Sequence, residues 1–182
     1  MTIIRGTLVL RTLPLLILTV SFQAYGMGFS TDWYQKVRQV SILHSSRQEI
    51  EQLLGNPTIV YSNAGGSNTE VEYDWKGVGR VHVSYSTGKC TPTSKYGYDV
   101  AEGVVLNVYV KLKEPVRVSK LRLDLSSYRR SEISDMPGVT EYTNRDIGER
   151  YIVEESPGEK PKLMSLSFSP KMELENLACV RE

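Results

Sequence analysis

One short stretch constrains the fold more than any other, because a helix start, an apolar face and a helix stop occur together in it. The stretch is SSRQEIEQLLGNP, residues 45–57. Ser46 and Glu49 have the spacing of a capping box, in which the serine hydroxyl accepts from the Glu49 amide and the glutamate carboxylate accepts from the Ser46 amide. Gly55 supplies the left-handed residue that ends such a helix, and Pro57 prevents its continuation. A short helix is therefore predicted here.

This predicted helix needs another element to pack against. Ile50, Leu53 and Leu54 lie on one side of it, at helical spacing. A helix of this length is only marginally stable in isolation, so its aliphatic side chains must be buried by tertiary contacts. The segment before it, residues 32–43, is predicted to begin with another helix, capped by Asp32.

After Pro57 the chain has the period of two that is typical of strands with one buried face. The polar stretch from Thr87 to Gly103 is predicted to be a long loop. A helix on the apolar face of an antiparallel sheet gives an α+β fold. The predicted strands are Thr58–Tyr61, Val71–Trp75, Val81–Tyr85, Val104–Leu112, Arg129–Ile133, Val139–Thr143, Arg150–Glu154 and Leu163–Phe168.

The second half of the chain resembles the first at a constant offset. EYDWKGVGRVHV begins at Glu72 and EYTNRDIGERYI at Glu141, 69 residues further on, and in both a glycine follows the glutamate by seven residues. Residues 27–182 are predicted to form a single α+β domain. Either it contains two structural repeats, at about 32–114 and 115–182, or its halves share only the general form of β-hairpins.

The first 26 residues differ from the rest of the chain. Arg5 and Arg11 precede an apolar run from Leu13 to Phe22, and Ala24-Tyr25-Gly26 follows it. This order is typical of a secretory signal peptide, and the apolar run is too short to span a membrane. Cleavage is predicted after Gly26, so the protein is expected to be secreted or periplasmic. An uncleaved membrane anchor is the alternative.

Both cysteines lie in the part of the chain predicted to be exported, where the environment is oxidising. Cys90 and Cys179 are therefore predicted to form a disulfide. Free thiols with a metal or catalytic role are disfavoured, because no C-x-x-C motif is present and His44 and His82 are not spaced as metal ligands near either cysteine. No metal and no cofactor are expected.

The predicted helix ends in Leu53-Leu54-Gly55-Asn56-Pro57 and is followed by strands at Tyr73, Val83 and Leu106. This arrangement resembles the SmpA/OmlA (BamE-like) module. A doubled module of this kind is similar to the architecture of the β-lactamase inhibitor protein (BLIP) family, whose two tandem copies present a concave sheet face. The chain also resembles a family of uncharacterised secreted bacterial proteins that share a Trp, a Leu-His-Ser-x-Arg sequence and this helix. These resemblances imply two tandem BamE/BLIP-like copies and a protein-binding role.

The sequence lacks the motifs of the common enzyme classes. It contains no Gly-x-Ser-x-Gly elbow, no phosphate-binding or dinucleotide-binding loop, and no His-Glu-x-x-His helix. The net charge is +1, from 22 basic and 21 acidic residues, which gives no electrostatic reason to expect nucleic acid as a partner. The protein is expected to be a monomer that is not an enzyme and, after signal cleavage, does not insert into a membrane.

Two functions remain open, with an enzyme of unrecognised type as a third. The first is an exported protein-interaction module of the cell envelope or periplasm that binds through a face of its sheet. The second is a carrier that holds a small ligand in a pocket between helix and sheet.

The strand alternation predicts where a protein partner would bind. The partner-binding residues are predicted to be Glu72, Asp74, His82, Asn107 and Tyr109, which project with Arg80 and Ser84 away from the helix. Charges of both signs, an imidazole and an aromatic side chain with a polar tip suit recognition, although a solvated sheet face is the alternative. The residues predicted to face the helix are Val71, Tyr73, Trp75, Val81, Val83, Tyr85, Val104, Leu106 and Val108.

Overall fold

The computed structural model describes residues 31–62, 68–91, 97–172 and 178–179. The predicted signal peptide, residues 1–26, lies outside them. Within the described ranges, every helix is too short or too polar to cross a membrane.

Two α-helices precede the sheet: α1 is Asp32–Val37 and α2 is Arg47–Leu54. The predicted capping box is confirmed in α2, where the Ser46 amide donates to Glu49 Oε2 at 2.6 Å and the Glu49 amide donates to Ser46 Oγ at 3.3 Å. The predicted cap of α1 is wrong, because Thr31 occupies the cap position and Asp32 is the first helical residue.

All eight predicted strands are present and lie in one antiparallel sheet, in the order β1-β2-β3-β4-β8-β7-β6-β5. Two four-strand meanders therefore meet where β4 pairs with β8. The protein is mostly sheet with a small helical part, which includes a 3-10 helix at Val118–Leu121. The strands are β1 (Ile59–Ser62), β2 (Asn68–Trp75), β3 (Gly79–Ser86), β4 (Val105–Arg117), β5 (Arg129–Glu132), β6 (Val139–Asn144), β7 (Glu149–Glu154) and β8 (Lys162–Phe168).

A single apolar core lies between the helices and one face of the sheet. Trp33, Tyr34, Ile50 and Leu121 enter it from the helical side, and Tyr151 is among the strand residues that meet them. These contacts place both α-helices and the 3-10 helix on the same face.

The predicted core face is correct except at the start of β4. There the pairing of β3 with β4 shifts between Ser84 and Tyr85, so Tyr85 pairs with Val105. Val105 is consequently in the core cluster, so the prediction that Val104 faces the helix is wrong, and Leu106 is buried but lies outside that cluster. A bulge of this kind changes which residues of a strand face the core, and a period of two cannot anticipate it.

Ile50, and not Leu53, anchors α2. Ile50 is 2 % exposed, whereas Leu53 is half-buried and lies outside the core cluster. We expect Ile50→Ala to lower the free energy of unfolding by about 2 to 4 kcal/mol, because it leaves a cavity at the centre of the contact. Leu53→Ala is the matched control and should cost about 1 kcal/mol or less. Urea unfolding measures both, and equal losses would contradict this packing.

The predicted disulfide is confirmed: Cys90 and Cys179 are bonded, with their Cα atoms 5.6 Å apart. Both β3 and β8 are antiparallel to β4, so they run parallel to each other and their C-terminal ends lie at the same end of the sheet. The segments that follow them therefore meet, and the Cys179 amide also donates to the Gly97 carbonyl at 2.9 Å. The bond thus links the loop of the first meander to the segment after β8.

Candidate functional site

The face of the sheet opposite the helices, which we call the open face, carries ordered rows of polar side chains. Register partners in an antiparallel sheet project to the same side, so each row crosses β2, β3 and β4 in that order. The rows are Glu70, Ser84 and Asn107; Glu72, His82 and Tyr109; and Asp74, Arg80 and Lys111.

The middle row contains an ion-pair geometry beside an aromatic ring. His82 Nε2 lies 3.5 Å from Glu72 Oε2, and the His82 and Tyr109 rings are 5.9 Å apart. Glu72 is only 7 % exposed, whereas His82 and Tyr109 are half-buried. A partner at this row would therefore contact the imidazole and the phenol.

The next row consists of three charged side chains. Asp74, Arg80 and Lys111 are exposed and adjacent in register, yet none forms an ion pair among the described residues. Together with Thr58 and Lys113 they line a shallow depression of about 530 Å³. Such charges can pair with a partner without first breaking an internal contact.

The structure brings all five predicted partner-binding residues to the open face. Glu72, His82 and Tyr109 share one row, with Asp74 in the row on one side and Asn107 in the row on the other. Their role in binding stays a prediction. Sequence reasoning missed Lys111, although it continues the alternation of Asn107 and Tyr109 by one step.

A second concave feature lies on the other side of the sheet, between the α1–α2 segment and the ends of β7 and β8. It is a pocket of about 390 Å³ with an apolar part at Val40, Ile42 and Phe168. Its polar lining includes Arg38, His44 and Glu149. This volume is within the range of small-molecule sites.

Glu149, at the wall of this pocket, accepts hydrogen bonds at both carboxylate oxygens although it is buried. The Tyr128 and Tyr151 hydroxyls donate to Oε2, each at 2.6 Å, and Arg38 Nη2 donates to Oε1 at 3.0 Å. The Tyr34 hydroxyl lies 3.0 Å from that of Tyr151. This network joins α1 to β7 across the core.

The tyrosines of the network act as neutral donors. Burial, reinforced by the hydrogen bond to Glu149, raises the pKa of both Tyr128 and Tyr151 above the ordinary tyrosine value. Their protons are therefore retained, and the carboxylate stays hydrogen-bonded. Local sequence patterns could not reveal this network, because Tyr34 and Tyr151 are 117 residues apart.

We expect Glu149→Ala to lower the free energy of unfolding by about 2 to 3 kcal/mol, because it leaves the buried Tyr151 hydroxyl and the half-buried Tyr128 hydroxyl without their carboxylate acceptor. Glu141→Ala is the matched control. Glu141 pairs with Arg150 at 2.7 Å on the open face, and its loss should cost about 1 kcal/mol or less. Equal losses in urea unfolding would show that the Glu149 network does not hold α1 in place.

Among the described residues, no group of three or more His, Cys, Asp and Glu side chains is arranged to hold a metal ion. The chain matches no protein-family model, and comparison with the curated proteins and with the solved structures found no similar protein. The candidate surfaces are therefore interpreted from their own geometry.

Proposed function

We propose that this protein is an exported, non-catalytic interaction module that binds another protein of the cell envelope or periplasm through its open face. The observation that carries the proposal is the row of Asp74, Arg80 and Lys111, which is exposed, forms no ion pair with any described residue and lies next to the half-buried ring of Tyr109. Charges of both signs favour a complementary protein surface over a uniformly charged polymer. The amphipathic tyrosine supplies the kind of contact that is enriched at protein interfaces.

Two features support export. The sequence of residues 1–26 has the order of a signal peptide. The Cys90–Cys179 bond is of the kind that persists in oxidising compartments outside the cytoplasm. We therefore propose that binding occurs outside the cytoplasm.

We also propose that β1–β4 and β5–β8 are two copies of one module, which would make the fold a tandem BamE/BLIP-like arrangement. Each half is an antiparallel meander in sequence order, and the two halves meet at β4 and β8. Gly79 and Gly148, which are 69 residues apart, each lie against the backbone of the segment beside them, at Lys111 and Ser169. A glycine is needed wherever backbones approach so closely, so the shared position supports the duplication.

Site-specific photo-cross-linking in the native cell tests the proposed binding face. A photoreactive phenylalanine analogue replaces Tyr109, and in the control protein it replaces Gln48, which is exposed on α2 on the helical side. We expect a discrete protein adduct from position 109 and none from position 48. An adduct from position 48 alone, or none from position 109, would contradict binding through the open face.

The pocket beside Glu149 favours a second candidate function, the small-ligand carrier. Its volume of about 390 Å³ and its mixed apolar and polar lining would suit a small amphipathic molecule. Native mass spectrometry of protein purified from its own cell, before and after denaturation, tests this function. A stoichiometric small molecule that is released on unfolding would favour the carrier, and mass of the polypeptide alone would exclude a tightly held ligand.

A further inference from the structure

The two edges of the sheet differ in how they are protected from further strand pairing. An edge strand exposes unpaired amides and carbonyls, and natural proteins usually blunt it with charged side chains. β5 is blunted in this way, since its sequence RRSE is exposed and charged at three of four positions. β1 has the sequence IVYS and carries no charge at all.

β1 also exposes apolar side chains on both faces of the sheet. Ile59 is 41 % exposed, Val60 50 % and Tyr61 43 %. Register with β2 places Ile59 and Tyr61 on the open face and Val60 on the helical face, beside Val71. Among the described residues, β1 pairs on one side only, with β2. Three consecutive exposed apolar residues on such a strand are typical of a site where another strand is added.

The charges near this edge indicate the chemistry of the added strand. β1 and β2 together contain three acidic residues, Glu70, Glu72 and Asp74, and no lysine or arginine. Glu70 and Asp74 are exposed on the open face. A strand added to β1 would have its backbone about 10 Å from that of β2. The long side chains of lysine or arginine on that strand would bring their charges closer to the carboxylates of β2.

We propose that β1 is a docking edge for an extended, basic segment of a partner protein, which adds to the sheet as a further strand. Backbone hydrogen bonds to β1 would supply affinity. Apolar residues of the segment would cover Ile59, Val60 and Tyr61, and its basic residues would face Glu70 and Asp74. The inference shares Asp74 with the proposed open-face site but depends on the backbone and apolar side chains of β1, so variants at Ile59 and Tyr61 test it separately from binding through the open face.

A second copy of this chain fits the edge less well than a basic segment. Antiparallel pairing of β1 with its own copy would bring two acidic β2 strands to within three strand spacings, about 14 Å, of each other. Like charges on the same face would then oppose the contact, whereas a basic segment is attracted to it.

Fluorescence anisotropy with defined peptides tests the proposal. The probe is a short fluorescein-labelled peptide of alternating lysine and valine, and the comparison peptides have glutamate in place of lysine or a methyl group on every backbone nitrogen. We expect the lysine peptide to bind at least about tenfold more tightly than either comparison peptide, because these remove the charge complementarity and the hydrogen-bond donors, respectively. Its affinity should fall with added salt.

Protein variants locate the site. Ile59→Lys with Tyr61→Lys should weaken binding of the lysine peptide at least about tenfold, since it gives β1 the charged protection that β5 has. Ser127→Lys with Ser131→Lys adds the same charge at the other edge, at exposed positions, and should leave binding unchanged. An unchanged melting temperature confirms that each variant is folded.

Several outcomes would overturn the proposal. They are no binding of the lysine peptide, equal binding of the N-methylated or glutamate peptide, and equal weakening by the two double variants. Self-association in sedimentation that Ile59→Lys with Tyr61→Lys abolishes would identify a second copy as the occupant and would also overturn it.

Discussion

Replacing Cys90 and Cys179 with serine should lower the free energy of unfolding by about 4 to 5 kcal/mol, the range that chain entropy gives for a cross-link between distant residues. The two cysteines are 89 residues apart, so the bond removes a large amount of freedom from the unfolded chain. In the folded protein it ties the segment after β8 to the loop after β3. Urea unfolding of the double variant under non-reducing conditions measures the loss.

Two controls separate the cross-link from the side chains. Cys90→Ala with Cys179→Ala should lose the same stability as the serine pair, because both variants remove the bond. Wild-type protein in dithiothreitol should unfold like either variant. A loss below about 1 kcal/mol in all three cases would mean that the bond contributes little to the free energy of unfolding.

We expect Gly79→Ala to lower the free energy of unfolding by about 3 to 5 kcal/mol, because both its conformation and its surroundings exclude a side chain. Gly79 has φ of +148°, and an added Cβ would lie 2.1 Å from the Lys111 carbonyl oxygen. That oxygen belongs to the backbone of β4, so the strand itself would have to move. Thermal and urea unfolding measure the effect.

Gly77→Ala, in the same hairpin, is the matched control. Gly77 also has positive φ, +77°, but apart from its two chain neighbours no described residue lies within 4 Å of the added Cβ. Its substitution should therefore cost only the backbone strain, about 1 kcal/mol. Gly148→Ala should be about as costly as Gly79→Ala, since its added Cβ would lie 2.1 Å from the Ser169 carbonyl oxygen. Equal losses of stability at Gly77 and Gly79 would show that the close approach of Gly79 to β4 does not exclude a side chain there.

The features that the sequence predicts well are those determined by neighbours along the chain. The capping box of Ser46 and Glu49 requires only two residues three positions apart, and it is present as predicted. The strands and most of their inward faces also follow from local alternation. The two cysteines allow only one pairing, so their bond was predictable as well.

The features that were missed depend on contacts between distant parts of the chain. Leu53 has the same helical spacing as Ile50, and only the position of α2 on the sheet decides which of them is buried. The bulge beside Tyr85 brings Val105 into the core where the alternation predicted Val104. The Glu149 network depends on α1 reaching β7, which no local pattern in either segment indicates.

The central claim is that the open face binds a partner. It is tested most directly by the affinity of this protein for the partner that photo-cross-linking at position 109 identifies. This affinity should be measured by calorimetry for the wild type and for the triple variant Asp74→Ala, His82→Ala and Tyr109→Ala. A matched triple variant on the helical side, Lys36→Ala, Gln39→Ala and Gln48→Ala, provides the control at exposed positions. We expect the open-face variant to bind roughly a hundredfold more weakly, with its melting temperature nearly unchanged and the control variant binding like the wild type. Equal affinity of the open-face variant and the wild type would contradict the claim.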